Sequence, residues 1–274
     1  MFTINSTVKL NNDLEMPRMG LGVYLMDPGE ETRQAVMTAL EEGYRLIDTA
    51  AMYGNERDVG RAVKESPVSR EEIFVTTKLW NSDHGYDRTL RAFDKSLQLL
   101  DMEYIDLYLI HWPVEGLRKE TWRAMEKLYN DGKCRAIGVS NYTISHLTEL
   151  LDCADVPPTV NQVEFSPFLY QKDLLEFCQS KDIRLEAYSP LTRTKKFNNP
   201  VIKQMAEKYQ KSPAQIMIRW ALQHEVIVIP KSSHRERIRE NARVFDFSIS
   251  EEDMKTLNGL NQNYHVSWDP THVR

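Results

Sequence analysis

Apolar positions along this chain switch repeatedly between two rhythms. Short runs rich in Ile, Val and Leu read as buried strands, and each is followed by apolar residues spaced every three or four positions, the period of an amphipathic helix. Two alternating stretches around Asn11-Asn12-Asp13 come first and predict an N-terminal β-hairpin. A strand over 19–23 follows, then a helix from about 30 in which Val36, Ala39, Leu40 and Gly43 recur. Strands are predicted at 45–47, 73–78, 105–111, 135–139, 160–163, 183–188 and 226–229. The intervening helices fall at 56–64, 87–100, 121–130, a stretch ending at 151, and 171–180; the second carries the stripe Leu90, Phe93, Leu97 and Leu100. Two helices separate the last two strands, and Ser212-Pro213-Ala214-Gln215 is a capping box with proline at the first helical position. Helical segments at 235–242 and 250–257 precede a tail, 258–274, without clear period.

About eight strand-helix units in a chain of 274 residues point to an α/β protein, a (β/α)8 TIM barrel with an N-terminal hairpin and two extra helices. A single domain over 1–274 is expected, because no linker or low-complexity tract divides the sequence. A doubly wound sheet is the alternative. Against it, Gly20-Leu21-Gly22 lacks the third glycine of a dinucleotide fingerprint and runs into Tyr24-Leu25-Met26 instead of directly into a helix.

A net charge of −5 gives no reason to expect nucleic acid or an anionic membrane as partner, so any anion site must be local. Cys134, Cys153 and Cys178 form no Cys-x-x-Cys pair, so no metal is expected and a reducing, cytoplasmic setting fits. The N-terminus reads as no signal peptide, and charges break each apolar run before membrane-spanning length.

In a barrel, functional side chains stand at the C-terminal ends of strands. Asp48 follows one such strand with Tyr53 just beyond it, and Lys78 and His111 close the next two. Singly, each has an ordinary reading: a capping acid, a loop tyrosine, a surface lysine, a core histidine. Together they place four ionisable groups at one rim. A phenol with a pKa of about 10 is a poor acid near neutrality; an adjacent ammonium is expected to lower it, and Asp48 to hold that ammonium. His111 could orient a substrate carbonyl. The set is a proton relay for carbonyl chemistry with Tyr53 as donor.

Six blocks carry a family resemblance: Gly43-Tyr44-Arg45-Leu46-Ile47-Asp48-Thr49-Ala50 through Tyr53-Gly54-Asn55-Glu56 and Gly60; Thr77-Lys78-Leu79-Trp80-Asn81; Asp106-Leu107-Tyr108-Leu109-Ile110-His111-Trp112-Pro113; Gly138-Val139-Ser140-Asn141; Asn161-Gln162-Val163-Glu164; and Ile229-Pro230-Lys231-Ser232. In this order they resemble the aldo-keto reductase superfamily, and the small prokaryotic branch with 2,5-diketo-gluconate and glyoxal or methylglyoxal reductases. The resemblance implies NADPH as hydride donor and a tetrad of Asp48, Tyr53, Lys78 and His111. It implies that Ser140, Asn141 and Gln162 hold the nicotinamide carboxamide and that Tyr188 stacks on the ring, with further contacts from Gly22, Asp48, Ser189 and Leu191. Lys231, Ser232, Arg237, Glu240 and Asn241, around a helix start, would take the adenosine 2′-phosphate and adenine. The superfamily also contains potassium-channel β-subunits, cofactor-holding regulatory modules. An enzyme is expected instead, since no docking extension is evident, acting as a monomer on small aldehydes and ketoaldehydes.

The substrate pocket is expected to be lined by Tyr24, Met26, Met52, Trp80, His111 and Trp112, with His265 and Trp268 reaching in from the tail. Ser166 stands in Glu164-Phe165-Ser166-Pro167 where many relatives have histidine, a difference expected to bear on substrate-side packing. The short segment 114–120 and compact tail imply an open site.

Overall fold

In the computed structural model, which describes residues 3–273, two short strands pair antiparallel as the hairpin: β1 (Thr7–Lys9) and β2 (Glu15–Pro17). Eight parallel strands follow: β3 (Leu21–Gly22), β4 (Leu46–Asp48), β5 (Phe74–Leu79), β6 (Ile105–Ile110), β7 (Cys134–Ser140), β8 (Val160–Glu164), β9 (Arg184–Tyr188) and β10 (Ile227–Val228). Each pairs with its sequence neighbours in simple order. The two end strands also meet. Gly20 N donates to Val228 O at 2.8 Å and Val228 N to Arg18 O at 3.0 Å, which closes the sheet. Gly22 stands at this seam, where a Cβ would come within 2.9 Å of Ile229 O. The fold is a (β/α)8 barrel.

The period of two along each strand sorts its side chains. Leu46, Phe74, Leu107, Leu109, Ala136, Val160, Ile227 and Ile229 form one buried cluster with Val8, Leu10 and Met16, so the hairpin plugs the barrel with apolar side chains. Ile47, Val75, Tyr108, Ile137, Val163 and Leu185 alternate with them and belong to the larger core shared with the helices. Those helices are α1 (Glu30–Glu41), α2 (Glu56–Glu65), α3 (Tyr86–Leu100), α4 (Arg118–Asn130), α5 (Ile144–Leu151), α6 (Lys172–Ser180), α7 (Pro200–Tyr209), α8 (Pro213–Gln223), α9 (Arg235–Ala242) and α10 (Glu251–Asn258). The two beyond the eightfold repeat, α7 and α10, are tied by Lys208 Nζ donating to Asp253 Oδ2 at 2.7 Å.

Helix ends follow the local signals. At α8 the capping box is complete, Ser212 Oγ accepting from Gln215 N and Gln215 Oε1 from Ser212 N. Elsewhere the boundaries move. Helix α4 begins at Arg118, nearly a turn before the predicted 121, and β4 runs on to include Asp48 itself. No helix among the described residues is long and apolar enough to cross a membrane.

Candidate active site

Above the apolar plug, the next inward side chains are polar. Asp48 ends β4 and Lys78 lies one residue from the end of β5, both buried. Lys78 Nζ donates to Asp48 Oδ1 at 2.6 Å, to Thr49 O at 2.8 Å and to Tyr53 Oη at 3.2 Å. These three acceptors match the three protons of an ammonium. Tyr53 reaches this position from a single 3-10 turn, Ala51–Tyr53, closed by Gly54 in the left-handed conformation. The turn is braced from below. Thr49 Oγ donates to Asn55 Oδ1, Asn55 Nδ2 to Val23 O, and Thr77 Oγ to Glu56 Oε1 at 2.6 Å. The Asn55-Glu56 pair, which the sequence places at a helix start, therefore also fixes the loop.

His111 follows β6 and closes the group, its ring 5.6 Å from that of Tyr53 and 5.2 Å from that of Trp80. Burial, helped by the Lys78 charge, holds its imidazole well below the usual histidine range, so it is neutral at pH 7. Burial also pushes the Tyr53 phenol well above its ordinary value, with the Asp48 charge adding to the effect. This reverses the expectation that the lysine would lower it. Lys78 donates into the phenol oxygen, but Asp48 balances that charge and burial favours the neutral form. Tyr53 thus stays protonated across the neutral range.

Asp48, Tyr53 and His111 line a cleft of about 820 Å³, with Lys78 buried behind them. Every residue expected to touch the cofactor lines it, from Gly22 and Gln162 to Lys231, Arg237 and Asn241. Tyr188 Oη donates to Asn141 Oδ1 at 2.8 Å, while Asn141 Nδ2 donates to His111 O, so these two walls are rigidly tied. Beside the far end, Arg235 and Arg239 of α9 bond to Glu41, the last residue of α1, and to Glu42 just after it. Lys231 and Arg237 make no ion pair among the described residues, and both line the cleft.

The substrate-side expectations divide. Tyr24, Met52, His111 and Trp112 line the cleft. Trp80 stands behind His111, edge to ring, and Trp268 packs on Trp112 at 5.0 Å without itself lining the cleft. Met26 does not belong there: it is buried in the core against α1 and the strands. His265 lines a second cavity beneath the tail, together with Trp268. Ser166 is buried too, its Oγ accepting from Phe168 N in a tight turn away from the cleft.

Sequence reasoning overlooked three participants. Ser267 and Arg193 line the cleft from the tail and from the loop after β9. Glu164, noted only as part of a motif, accepts from Val266 N at 2.7 Å and Ser267 N at 2.9 Å and so fastens the tail to the rim. Contacts between residues about a hundred positions apart leave no local trace in a sequence.

The profile of the aldo/keto reductase family matches residues 18–262. The chain belongs to that family. Among its relatives, the glyoxal reductase of Bacillus subtilis (strain 168) is 53% identical over 268 residues, 98% of this chain and 97% of the relative. The 9,11-endoperoxide prostaglandin H2 reductase of Trypanosoma cruzi (strain CL Brener) is 50% identical over 266 residues, 96% of this chain and 94% of that one. A solved aldo-keto reductase, MGS-M4 from a Medee basin deep-sea metagenome library, superposes with a TM-score of 0.95 at 47% identity, covering 98% of this chain and 100% of that one. As an aldo/keto reductase, the chain is an oxidoreductase of a family acting on small-molecule carbonyl compounds with a nicotinamide cofactor.

Proposed function

We propose that this aldo/keto reductase is an NADPH-dependent carbonyl reductase for small aldehydes and ketoaldehydes, with Tyr53 as proton donor. The observation that carries the reading is the three-way bonding of Lys78 Nζ. Its third proton lies on the phenol oxygen of Tyr53, so the phenol's own proton is directed away from Lys78 and is available to an oxygen in the cleft. As that proton leaves, the ammonium stabilises the phenolate that forms. Asp48 holds the ammonium in place, and neutral His111 can hydrogen-bond the same carbonyl oxygen and set its angle.

A nicotinamide bound along the cleft would supply the hydride that reduces the carbonyl carbon. The residues present fit such a group. Gln162 lines the cleft with a carbonyl oxygen that accepts no bond from the described protein, an acceptor for a carboxamide. Lys231 and Arg237, unpaired beside two paired arginines, suit a phosphate on the adenosine ribose and so favour NADPH over NADH. The aromatic side walls at Tyr24 and Trp112 suit small substrates, and the relative named glyoxal reductase points to the same class.

The test is turnover of methylglyoxal with NADPH, followed by loss of the reduced cofactor's near-ultraviolet absorbance. Consumption dependent on both is expected. No turnover across a panel of small aldehydes, with the cofactor bound, would overturn the enzymatic reading in favour of a cofactor-holding regulatory module.

A further inference from the structure

One buried acid inside the barrel has no task in the scheme above. Glu186 lies on β9, fully buried, two residues before Tyr188 on the same inward face. Its Oε2 accepts from Gln162 Nε2 at 2.8 Å, and the same nitrogen donates to Asp48 Oδ2 at 2.7 Å. A side-chain amide nitrogen has two protons, and both are taken by carboxyl groups. The other half of the amide, its carbonyl oxygen, is left without a protein donor on a residue that lines the cleft.

We propose that Glu186 is a positioning residue: with Asp48 it locks the Gln162 amide so that its carbonyl oxygen faces the cleft as acceptor for the carboxamide NH2 of a nicotinamide. This rests on the cofactor reading given above. Asp48 alone restrains the amide from one side. The second bond, to Glu186, fixes the last torsion of Gln162, which in glutamine is otherwise soft. An amide free to turn would present N–H where the cofactor also presents N–H.

The charges around Glu186 say in which form it does this. Asp48 faces it from β4, Lys78 from β5 and Tyr53 from the turn after β4; β8 presents the neutral Gln162, β10 the apolar Ile227, and its own strand Tyr188. The one ammonium is bonded to Asp48, Thr49 and Tyr53, leaving Glu186 without a cation of its own. Burial, with the Asp48 charge added, pushes its carboxyl up to about 8. Glu186 is therefore a neutral acid at pH 7, accepting from Gln162 through its carbonyl oxygen while its other oxygen, Oε1, is buried and unpaired. Neutrality matters because the oxidised nicotinamide ring is a cation and the reduced ring is not. Ionising Glu186 puts a negative charge one hydrogen bond behind Gln162, which favours the oxidised form.

The experiment is calorimetric titration of the full chain with NADPH and with NADP+, between pH 6 and pH 9. Glu186→Leu removes the acceptor and is expected to weaken NADPH binding about tenfold, the weight of one hydrogen bond. Glu186→Gln, which keeps a carbonyl oxygen, is expected to recover most of that loss. In the wild type the ratio of NADP+ to NADPH affinity should rise as pH passes through about 8; in Glu186→Gln the rise should be absent. Should Glu186→Leu fail to fold, this pH comparison decides by itself. Wild-type affinity in Glu186→Leu, or the same pH slope in Glu186→Gln, overturns the proposal. A wild type that binds neither cofactor overturns the cofactor reading and this inference with it, a different outcome from binding that ignores Glu186.

Discussion

On the proposed reading, the chemistry of Tyr53 rests on the direction of one hydrogen bond. A half-buried phenol beside the Asp48 charge is held neutral, which by itself makes a sluggish acid. The compensating feature is Lys78 Nζ at 3.2 Å, which is present in the resting site but gains strength only as negative charge appears on the phenol oxygen. Replacing Tyr53 by Phe keeps the ring and its packing and removes only the proton. Carbonyl reduction is expected to fall by about 10²–10⁴-fold while NADPH affinity, measured by titration, stays within about twofold. Cofactor affinity that collapses along with rate would mark Tyr53 as a structural residue. At the other end of the cleft, removing either unpaired cation should act on one cofactor alone. Lys231→Ala or Arg237→Ala is expected to weaken NADPH by about tenfold or more, since a charge-assisted contact is worth roughly 1.5–3 kcal/mol, with little change for NADH. Equal losses for both cofactors would remove the phosphate from this end of the cleft.

Elements place these residues, and here some glycines and turns matter more than their helices. Gly60 appears in the sequence as one more member of a family block, midway along α2. In three dimensions it is the point where α2 meets the end of α3: a Cβ there would lie 2.0 Å from the carbonyl oxygen of Leu100. That contact is with backbone, so no side-chain rotation relieves it. Since α2 directly follows the turn bearing Tyr53, the close approach also sets where that turn begins. Gly60→Ala should lower stability by about 1–3 kcal/mol despite alanine's better helix propensity, read as a lower melting temperature. An unchanged melting temperature would mean that α3 moves aside freely. The elements themselves were legible because apolar period is a local property. Their ends were less so. Helix α4 starts at Arg118, a residue whose Nη2 reaches Glu149 of α5 at 2.6 Å, a partner the local pattern around 118–121 does not reveal. The tail was unreadable for the same reason: residues 266 and 267 are ordered by the buried carboxylate of Glu164, not by any periodicity of their own.

At the scale of the whole molecule, the barrel stacks an apolar floor beneath a polar layer and gathers the ends of its strands at one rim. That geometry explains why Asp48, Lys78 and His111 could be marked as candidates from strand ends, and the cofactor-wall candidates only with the family resemblance added, whereas Glu186 could not. Arg184 and Glu186 both interrupt the stretch 183–188, but whether Glu186 faced in or out depended on register with β8 and β10, which no single strand specifies. Two buried titratable groups also give the molecule a pH dependence with opposing slopes. His84, before α3, is fully buried with both ring nitrogens unpaired, and burial pushes its imidazole down to about 4. Its unfolded value is near 6.5, so the unfolded chain binds the extra proton and stability contributed by neutral His84 is lost as pH falls from about 6.5 to about 4. Glu186 works the other way. Its folded value of about 8 lies above the 4.5 of the free side chain, so the folded state holds the proton, and that contribution is lost as pH rises from about 4.5 to about 8. The two slopes oppose each other between 4.5 and 6.5, and above 6.5 only that of Glu186 remains. Melting temperatures of the wild type and Glu186→Gln should therefore converge on the acid side differently from the alkaline side. Relative to the variant, the wild type should lose stability steadily from about pH 4.5 to pH 8 and then run parallel to it. A constant difference across that whole interval would show that Glu186 is ionised in the folded protein at neutral pH, and that the buried layer holds two carboxylates on one ammonium.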